Sequence, residues 1–356
     1  MFGNRGFLPE LDPAAQLCYY PSNILDDVGR DLPSLLEDKS FRQYVRELKI
    51  PHWQEDHRYY QDKHLKLYYL RLAFIASAYI NQLGQPRETL LPANIAVPLC
   101  QVCKILDRPP VLSYDGYALY NWKRFIPEGN VELGNIDTIQ NFVHLYDEHW
   151  FILIHVEIEA IGAVILQAAA SIAAEPTNES IVNSALSDIA AAVWKQVSVL
   201  RRIPEKMDPA LYYKTFRQYI RFFENVVYQG VQAEPTNYRG ETGAQSSLLP
   251  ALVALMKVNH KQSVLTNHLA DMKNYMPADH RKILIEIQSI SDFRNIADKQ
   301  IYNDVLEGMA TFREVHFGWA QEYINKWESD PRGTGGTPYM EWLGQLINET
   351  REHKIQ

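Results

Sequence analysis

His316 stands in the most regular surroundings of any chemistry-bearing side chain in this sequence. Ile301, Val305, Met309 and Phe312 precede it, and Ala320, Tyr323 and Trp327 follow, in steps of three and four that keep to one face of a helix. A histidine in the middle of such a stripe has two readings. It is a core imidazole bonded to a neighbour, or it presents a neutral ring nitrogen from a rigid helix into an apolar slot, as an axial haem ligand does. Arg313, nearly one turn earlier, lies on almost the same side and suits an anionic group such as a haem propionate, although helix arginines are usually solvated. Helical spacing alone leaves both readings open.

Other groupings fail more clearly. His155-Val156-Glu157 and Cys100-Gln101-Val102-Cys103 are the parts of a zinc deaminase site, but the cysteine pair precedes the histidine and Leu99 stands where proline belongs. A non-haem iron triad needs a third ligand and usually a β scaffold. One Cys-x-x-Cys is weak for zinc, so Cys100 and Cys103 read as packing residues of a short helix. Gly333-Thr334-Gly335-Gly336-Thr337 lacks the Lys-Ser/Thr ending of a phosphate loop and suits a surface loop or a lid. The loop 240–247 offers backbone N–H groups and hydroxyls to a carboxylate. Neither a nucleophile elbow nor Gly-x-Gly-x-x-Gly occurs.

The elements that must position these residues fall into two parts. Residues 1–137 read as a small mixed domain, irregular and rich in proline, with helices over 63–83 and 94–106. Val111–Tyr114 and Tyr117–Tyr120 read as short strands about the turn dipeptide Asp115-Gly116. Residues 138–356 read as a larger all-helical domain, with helices over 138–174, 178–202, 209–227, 246–258, 263–274, 278–290 and 298–328. The fold class is mainly α.

Length and composition agree with a globular chain. It has 356 residues, 46% hydrophobic and 22% charged, with a net charge of −8 that leaves no basic footprint for nucleic acid or an anionic membrane. The apolar run 150–174 is broken by His155, Glu157 and Glu159, which favours a buried helix over a membrane span. The N-terminus lacks a signal-peptide pattern, and Cys18, Cys100 and Cys103 cannot form a disulfide framework; a cytoplasmic setting is expected.

Taken together, these segments resemble the indoleamine 2,3-dioxygenases. The resemblance runs, in order, through 91–98, Pro109-Pro110-Val111-Leu112-Ser113-Tyr114, Leu119-Tyr120-Asn121-Trp122, Val156-Glu157-Ile158, Ala244-Gln245-Ser246-Ser247, 272–281, Arg313-Glu314-Val315-His316 and Gly333-Thr334-Gly335-Gly336-Thr337. It covers roughly residues 60 to 345. It implies haem b held by His316, with both atoms of O2 added across the indole C2–C3 bond of L-tryptophan or a related indoleamine to give N-formylkynurenine. An electron donor would keep the iron ferrous. The chemistry belongs to the cofactor, and no side chain is assigned as a catalytic acid or base.

Residue by residue, the resemblance assigns Arg217 to the substrate carboxylate, a task suited to a planar guanidinium. Tyr212 and Tyr213 take the place of a pair of phenylalanines beside the indole. Tyr114 is a pocket tyrosine, and Tyr117 stands where a smaller residue can occur. Thr242 and Gly243 lie near haem and substrate, Arg313 near a propionate, and Thr334 in a lid. Counting back from Val156-Glu157-Ile158 puts Leu153 at the distal position, where a serine is usual; a slip in that count would bring His149 or His155 there instead. An apolar distal position keeps two other readings open, a same-fold haem enzyme with another oxidative indole reaction and a non-catalytic haem or O2 carrier.

Overall fold

The computed structural model describes residues 4–17, 23–53, 62–327 and 339–356. The chain is mainly α-helical. Its axis is α5, Tyr146–Ala174, whose sides serve different packing surfaces. Ile152, Leu153 and Val156 belong to one hydrophobic core. Trp150, Ile154, Ile158, Ile161 and Ile165 belong to a second. Among the described residues α5 is also the one helix long and apolar enough to cross a membrane, but it is mostly buried within the fold.

Around the first core lie α1 (Asn23–Glu37), α2 (Phe41–Glu47), α3 (Asp62–Ile80) and α4 (Ala93–Ile105). From Leu67 to Ile80 every residue of α3 is buried, including Arg71, whose guanidinium bonds Gln140 at 2.7 Å and pairs with Asp26. Asn94 ties α4 to the end of α2 by donating to the carbonyls of Val45 and Leu48. Strand β1 (Leu90–Leu91) pairs in parallel with β4 (Phe223–Tyr228), which pairs antiparallel with β5 (Thr236–Tyr238). Strands β2 (Lys123–Arg124) and β3 (Ile136–Asp137) form a separate two-stranded ladder.

The second core is helical: α6 (Glu179–Leu200), α9 (Leu248–Leu255), α11 (Ala278–Ser289) and α12 (Lys299–Ala320) pack with α5. Asn178 caps α6 and Asp298 caps α12, each side chain accepting from backbone N–H groups of the first turn. Gly308 lets α12 approach α6 closely, since a Cβ there would lie 2.8 Å from Val193 Cγ1. The short helices α7 (Pro209–Lys214) and α8 (Phe216–Tyr219) join the two cores, α10 (Val264–Lys273) follows α9, and α13 (Tyr339–Glu352) packs on α12.

Four local expectations change. Asp115–Leu119 is a π-helical turn and not a hairpin, because Asp115 is buried in an ion pair with Arg108 and donor Gly116 N reaches its carboxylate at 2.7 Å. The helix expected to begin at 138 starts at Tyr146, where Glu148 accepts from the N–H groups of Phe142 and Val143. The helix expected over 209–227 breaks at Thr215 and gives way to β4, so the larger part is not all-helical. The proline-rich first sixty residues carry α1 and α2.

Candidate functional site

Between its two core faces α5 carries Glu148, Phe151, His155 and Glu159, in steps of three, four and four that align them on one side. Each meets a group from another element. The Tyr117 hydroxyl donates to Glu148 Oε1 at 3.1 Å, and the Tyr114 hydroxyl donates to Glu159 Oε1 at 2.9 Å. Ser246 Oγ donates to the same Glu159 oxygen at 2.6 Å. The Phe151 ring lies 5.6 Å from Tyr212 and 6.0 Å from Phe216, and Tyr212 meets Phe216 edge-on at 5.2 Å. These rings form an aromatic wall.

His155 sits 5.9 Å from the Tyr114 ring and 4.6 Å from Phe151. Its Nδ1 is 2.7 Å from the Phe151 carbonyl, which can only accept, so Nδ1 carries the proton. Burial lowers the pKa of the ring, leaving it neutral with Nε2 as an acceptor.

Across from this wall, on α12, is His316. Its side chain has accessible surface, yet desolvation by the surrounding protein lowers its pKa to about 4, with His155 the next influence. A Cβ on Gly318 would meet no heavy atom within 4 Å, and the same holds for Gly243 on the 240–247 loop. The site thus sets a neutral imidazole on α12 within electrostatic reach of a histidine and its aromatic neighbours on α5, with open space beside Gly318 and Gly243, and the candidate slot is the space between them. That arrangement fits a haem.

The 240–247 loop is held tightly. A Cβ on Gly240 would collide with the Ile220 carbonyl, and Glu241 N donates to that same carbonyl at 3.1 Å. Gln245 bridges the loop to the wall, donating to the Gly240 carbonyl at 2.9 Å and accepting from Tyr114 N at 3.0 Å. Thr242 caps the short turn that follows, its hydroxyl accepting from Ala244 N. Glu241 is buried, and desolvation pushes its carboxyl up to about 8. Desolvation likewise raises Glu148 and Glu159 to about 7, against the hydrogen bonds they accept.

Arg217 is buried on α8, its guanidinium 5.2 Å from the Tyr213 ring centroid and close enough to Tyr212 to oppose the rise that burial gives that phenol's pKa. Tyr114, Tyr117, Tyr212, Tyr213 and Arg217 thus gather near α5 from three elements. Two residues do not stand as expected. Leu153 is 1% exposed inside the first core, two residues out of phase with the site stripe, and His155 takes the place beside the slot. Arg313 is buried against α13, donating to the Leu346 carbonyl at 3.2 Å and to Thr350, instead of standing ready for an anion in the slot. His149 bonds Asp137 and Thr138 at the start of α5. Cys103 is buried in the first core and Cys100 packs against it. Thr334, its glycine loop and Cys18 lie outside the described residues.

Sequence reasoning did not assign Phe151, Phe216, Glu148, Glu159 or Glu241. The signal for two of them, Glu148 and Glu159, was present: with His155 they recur as polar residues on an otherwise apolar helix and mark a third face.

Fold and site together define a mainly helical protein in which an imidazole on α12 and a histidine on α5 lie within electrostatic reach of each other. The comparisons with known proteins narrow that class. The family model "Indoleamine 2,3-dioxygenase" matches residues 2–329, and the chain belongs to this family. Indoleamine 2,3-dioxygenase 1 of Rattus norvegicus is 29% identical, over 91% of this chain and 88% of the rat protein. Indoleamine 2,3-dioxygenase of Saccharomyces cerevisiae is 29% identical, over 90% of this chain and 78% of its own length. A 6-hydroxytryptophan 2,3-dioxygenase of Fusarium equiseti is 26% identical, over 98% and 95%. The chain is accordingly an oxidoreductase of the dioxygenase type acting on an indole substrate.

Proposed function

We propose that this chain binds haem b through His316 and adds both atoms of O2 across the indole C2–C3 bond of L-tryptophan or a related indoleamine, giving N-formylkynurenine. The observation that carries the reading is His316 itself, a neutral imidazole with accessible surface on α12 and with His155 of α5 within electrostatic reach. Neutrality matters because only the unprotonated nitrogen can bind iron. When bound, the haem supplies activation of O2 at ferrous iron, maintained by an external electron donor.

The side chains supply everything else. His155 offers Nε2 as an acceptor for the indole N–H. Phe151, Tyr212 and Tyr213 hold the ring flat and exclude water. Arg217 takes the substrate carboxylate, and Thr242 and Gly243 border the cofactor. Tyr114 and Tyr117 are fixed by Glu159 and Glu148, so the distal wall is rigid before substrate arrives. Arg313 anchors α12 to α13. The net charge of −8 and unpaired Cys100 and Cys103 are in keeping with action in the cytoplasm.

The test is direct. Purified protein reconstituted with haem b should show a Soret band; after anaerobic reduction, tryptophan and O2 should give formylkynurenine absorbance. No Soret band after reconstitution overturns the reading. A Soret band and tryptophan binding without product would make the chain a carrier, and a different indole product would make it a different oxidase.

A further inference from the structure

We propose that Glu159 is a positioning residue: by accepting from Tyr114 and Ser246 together it locks the aromatic wall to the 240–247 loop, so that the loop sets the direction of the Tyr114 ring. The proposal rests on the reading above for what the pocket holds and goes beyond it in naming what aligns the wall.

One carboxyl oxygen takes two hydroxyls from separate elements. The Tyr114 hydroxyl donates to Glu159 Oε1 at 2.9 Å and Ser246 Oγ donates to the same atom at 2.6 Å. The loop also holds the other end of Tyr114, whose N–H donates to Gln245 Oε1 at 3.0 Å. Tyr114, Gln245, Ser246 and Glu159 thus close a ring of contacts, in which Tyr114, Gln245 and Glu159 are at most 2% exposed. A tyrosine held only by its backbone keeps its choice of rotamer. One held at backbone and hydroxyl by the same loop does not. Glu159 Oε2 is buried without a hydrogen-bond partner among the described residues, so the carboxyl serves these two hydroxyls alone.

The loop has little room to slide and relieve these bonds. Ser246 Oγ accepts from Leu248 N at 3.2 Å, where α9 begins. Leu248 in turn presses on α5 at Gly162, three residues beyond Glu159, where a Cβ would lie 2.6 Å from Leu248 Cδ1. Ser247 Oγ is 3.3 Å from His280 Nδ1 on α11. The Tyr114 ring meets His155 edge-on at 5.9 Å, so a shift of the loop reaches that histidine through the ring.

The test reads amide hydrogen exchange over 113–119 and 240–247 in the full chain as purified. Glu159→Met removes both acceptor oxygens at nearly unchanged size and should speed exchange in both segments roughly fivefold, the worth of one hydrogen bond. Glu159→Gln keeps an oxygen for both hydroxyls and should hold both segments near wild type. Faster exchange in one segment alone, or in Glu159→Gln as much as in Glu159→Met, overturns the proposal. Should Glu159→Met not fold, two milder variants decide. Ser246→Ala should speed exchange in 113–119, and Tyr114→Phe should speed it in 240–247, because each breaks the link from one end. Effects confined to the segment that carries the substitution overturn the proposal. Turnover of tryptophan is scored apart. Coupled exchange in a chain that forms no product sinks only the reaction, whereas product with uncoupled exchange sinks only this proposal.

Discussion

On the α12 side of the slot a single imidazole, His316, is flanked along its helix by Phe312, Val315 and Trp319, all half-buried. On the α5 side Glu148, His155 and Glu159 face Tyr114 and Tyr117, with Tyr212, Arg217 and Glu241 closing the wall. The α12 side needs only a neutral donor in the right place, and desolvation by the surrounding protein supplies that by lowering the histidine pKa to about 4. The α5 side instead keeps three carboxyls out of water, each held above its ordinary range by burial. Such groups cost stability once ionised, and their retention points to positioning and recognition as what they contribute.

The sharpest way to break this comparison is to remove the one imidazole. His316→Ala should lose reconstituted haem on desalting, with Soret absorbance at background, whereas His155→Ala should keep the band. The opposite pattern would exchange the roles of the two sides.

Next in size is the cost of the buried acids. Folded protein keeps a proton on Glu159 up to about pH 7, while the unfolded chain releases it near 4.5. Stability therefore falls as pH rises through that window, and above pH 7 the full penalty is present, roughly 3 kcal/mol for such a displacement. Glu159→Gln never ionises. Relative to wild type it should gain up to about that much between pH 5 and pH 8, read from urea midpoints. An identical difference at both pH values would mean that Glu159 carries no such cost.

The α12 side was also the more legible in the sequence. The stripe through Val305, Met309 and Tyr323 is buried as its spacing requires, and the capping aspartate Asp298 starts the helix where expected. The α5 side was harder to read, because counting back from Val156-Glu157-Ile158 fixes a number but not a helical phase: Leu153 packs in the first core with Tyr114 and Tyr117, and His155 lies beside the Tyr114 and Phe151 rings. Leu153 and His155 are two residues apart, about 200° around an α-helix, so a small miscount exchanges core for pocket. Asp115-Gly116 misled for a different reason. The pair signals a turn when solvent covers it, but here Arg108 and Tyr69 bury the aspartate, a tertiary contact that no local pattern contains. Arg313 likewise finds its partners on α13, far along the chain. In the first sixty residues Leu25, Val28, Leu32 and Leu36 do recur at helical spacing, but Pro33 within that run hid the helix.

Arg217 provides the third test. Its guanidinium is buried beside Tyr212 and Tyr213, and truncation to alanine should raise KM for tryptophan by about ten- to fiftyfold while leaving haem content unchanged. Indole itself, without a carboxylate, should lose nothing further. An unchanged KM for tryptophan would remove Arg217 from the substrate site.

The smallest effect asks whether the tyrosine wall differs in function from a wall of phenylalanines. Tyr212→Phe keeps the ring packing on Phe151, Phe216 and Tyr323 but deletes the hydroxyl beside Arg217, and with it any hydrogen bond between them. The loss of one such bond is worth about 1 kcal/mol, so KM for tryptophan should rise roughly fivefold with kcat nearly kept. If the hydroxyl only satisfied the guanidinium in the empty pocket, the variant would free Arg217 and KM would fall instead. The sign of this small change therefore separates a hydroxyl that orients Arg217 toward substrate from one that competes with substrate for it.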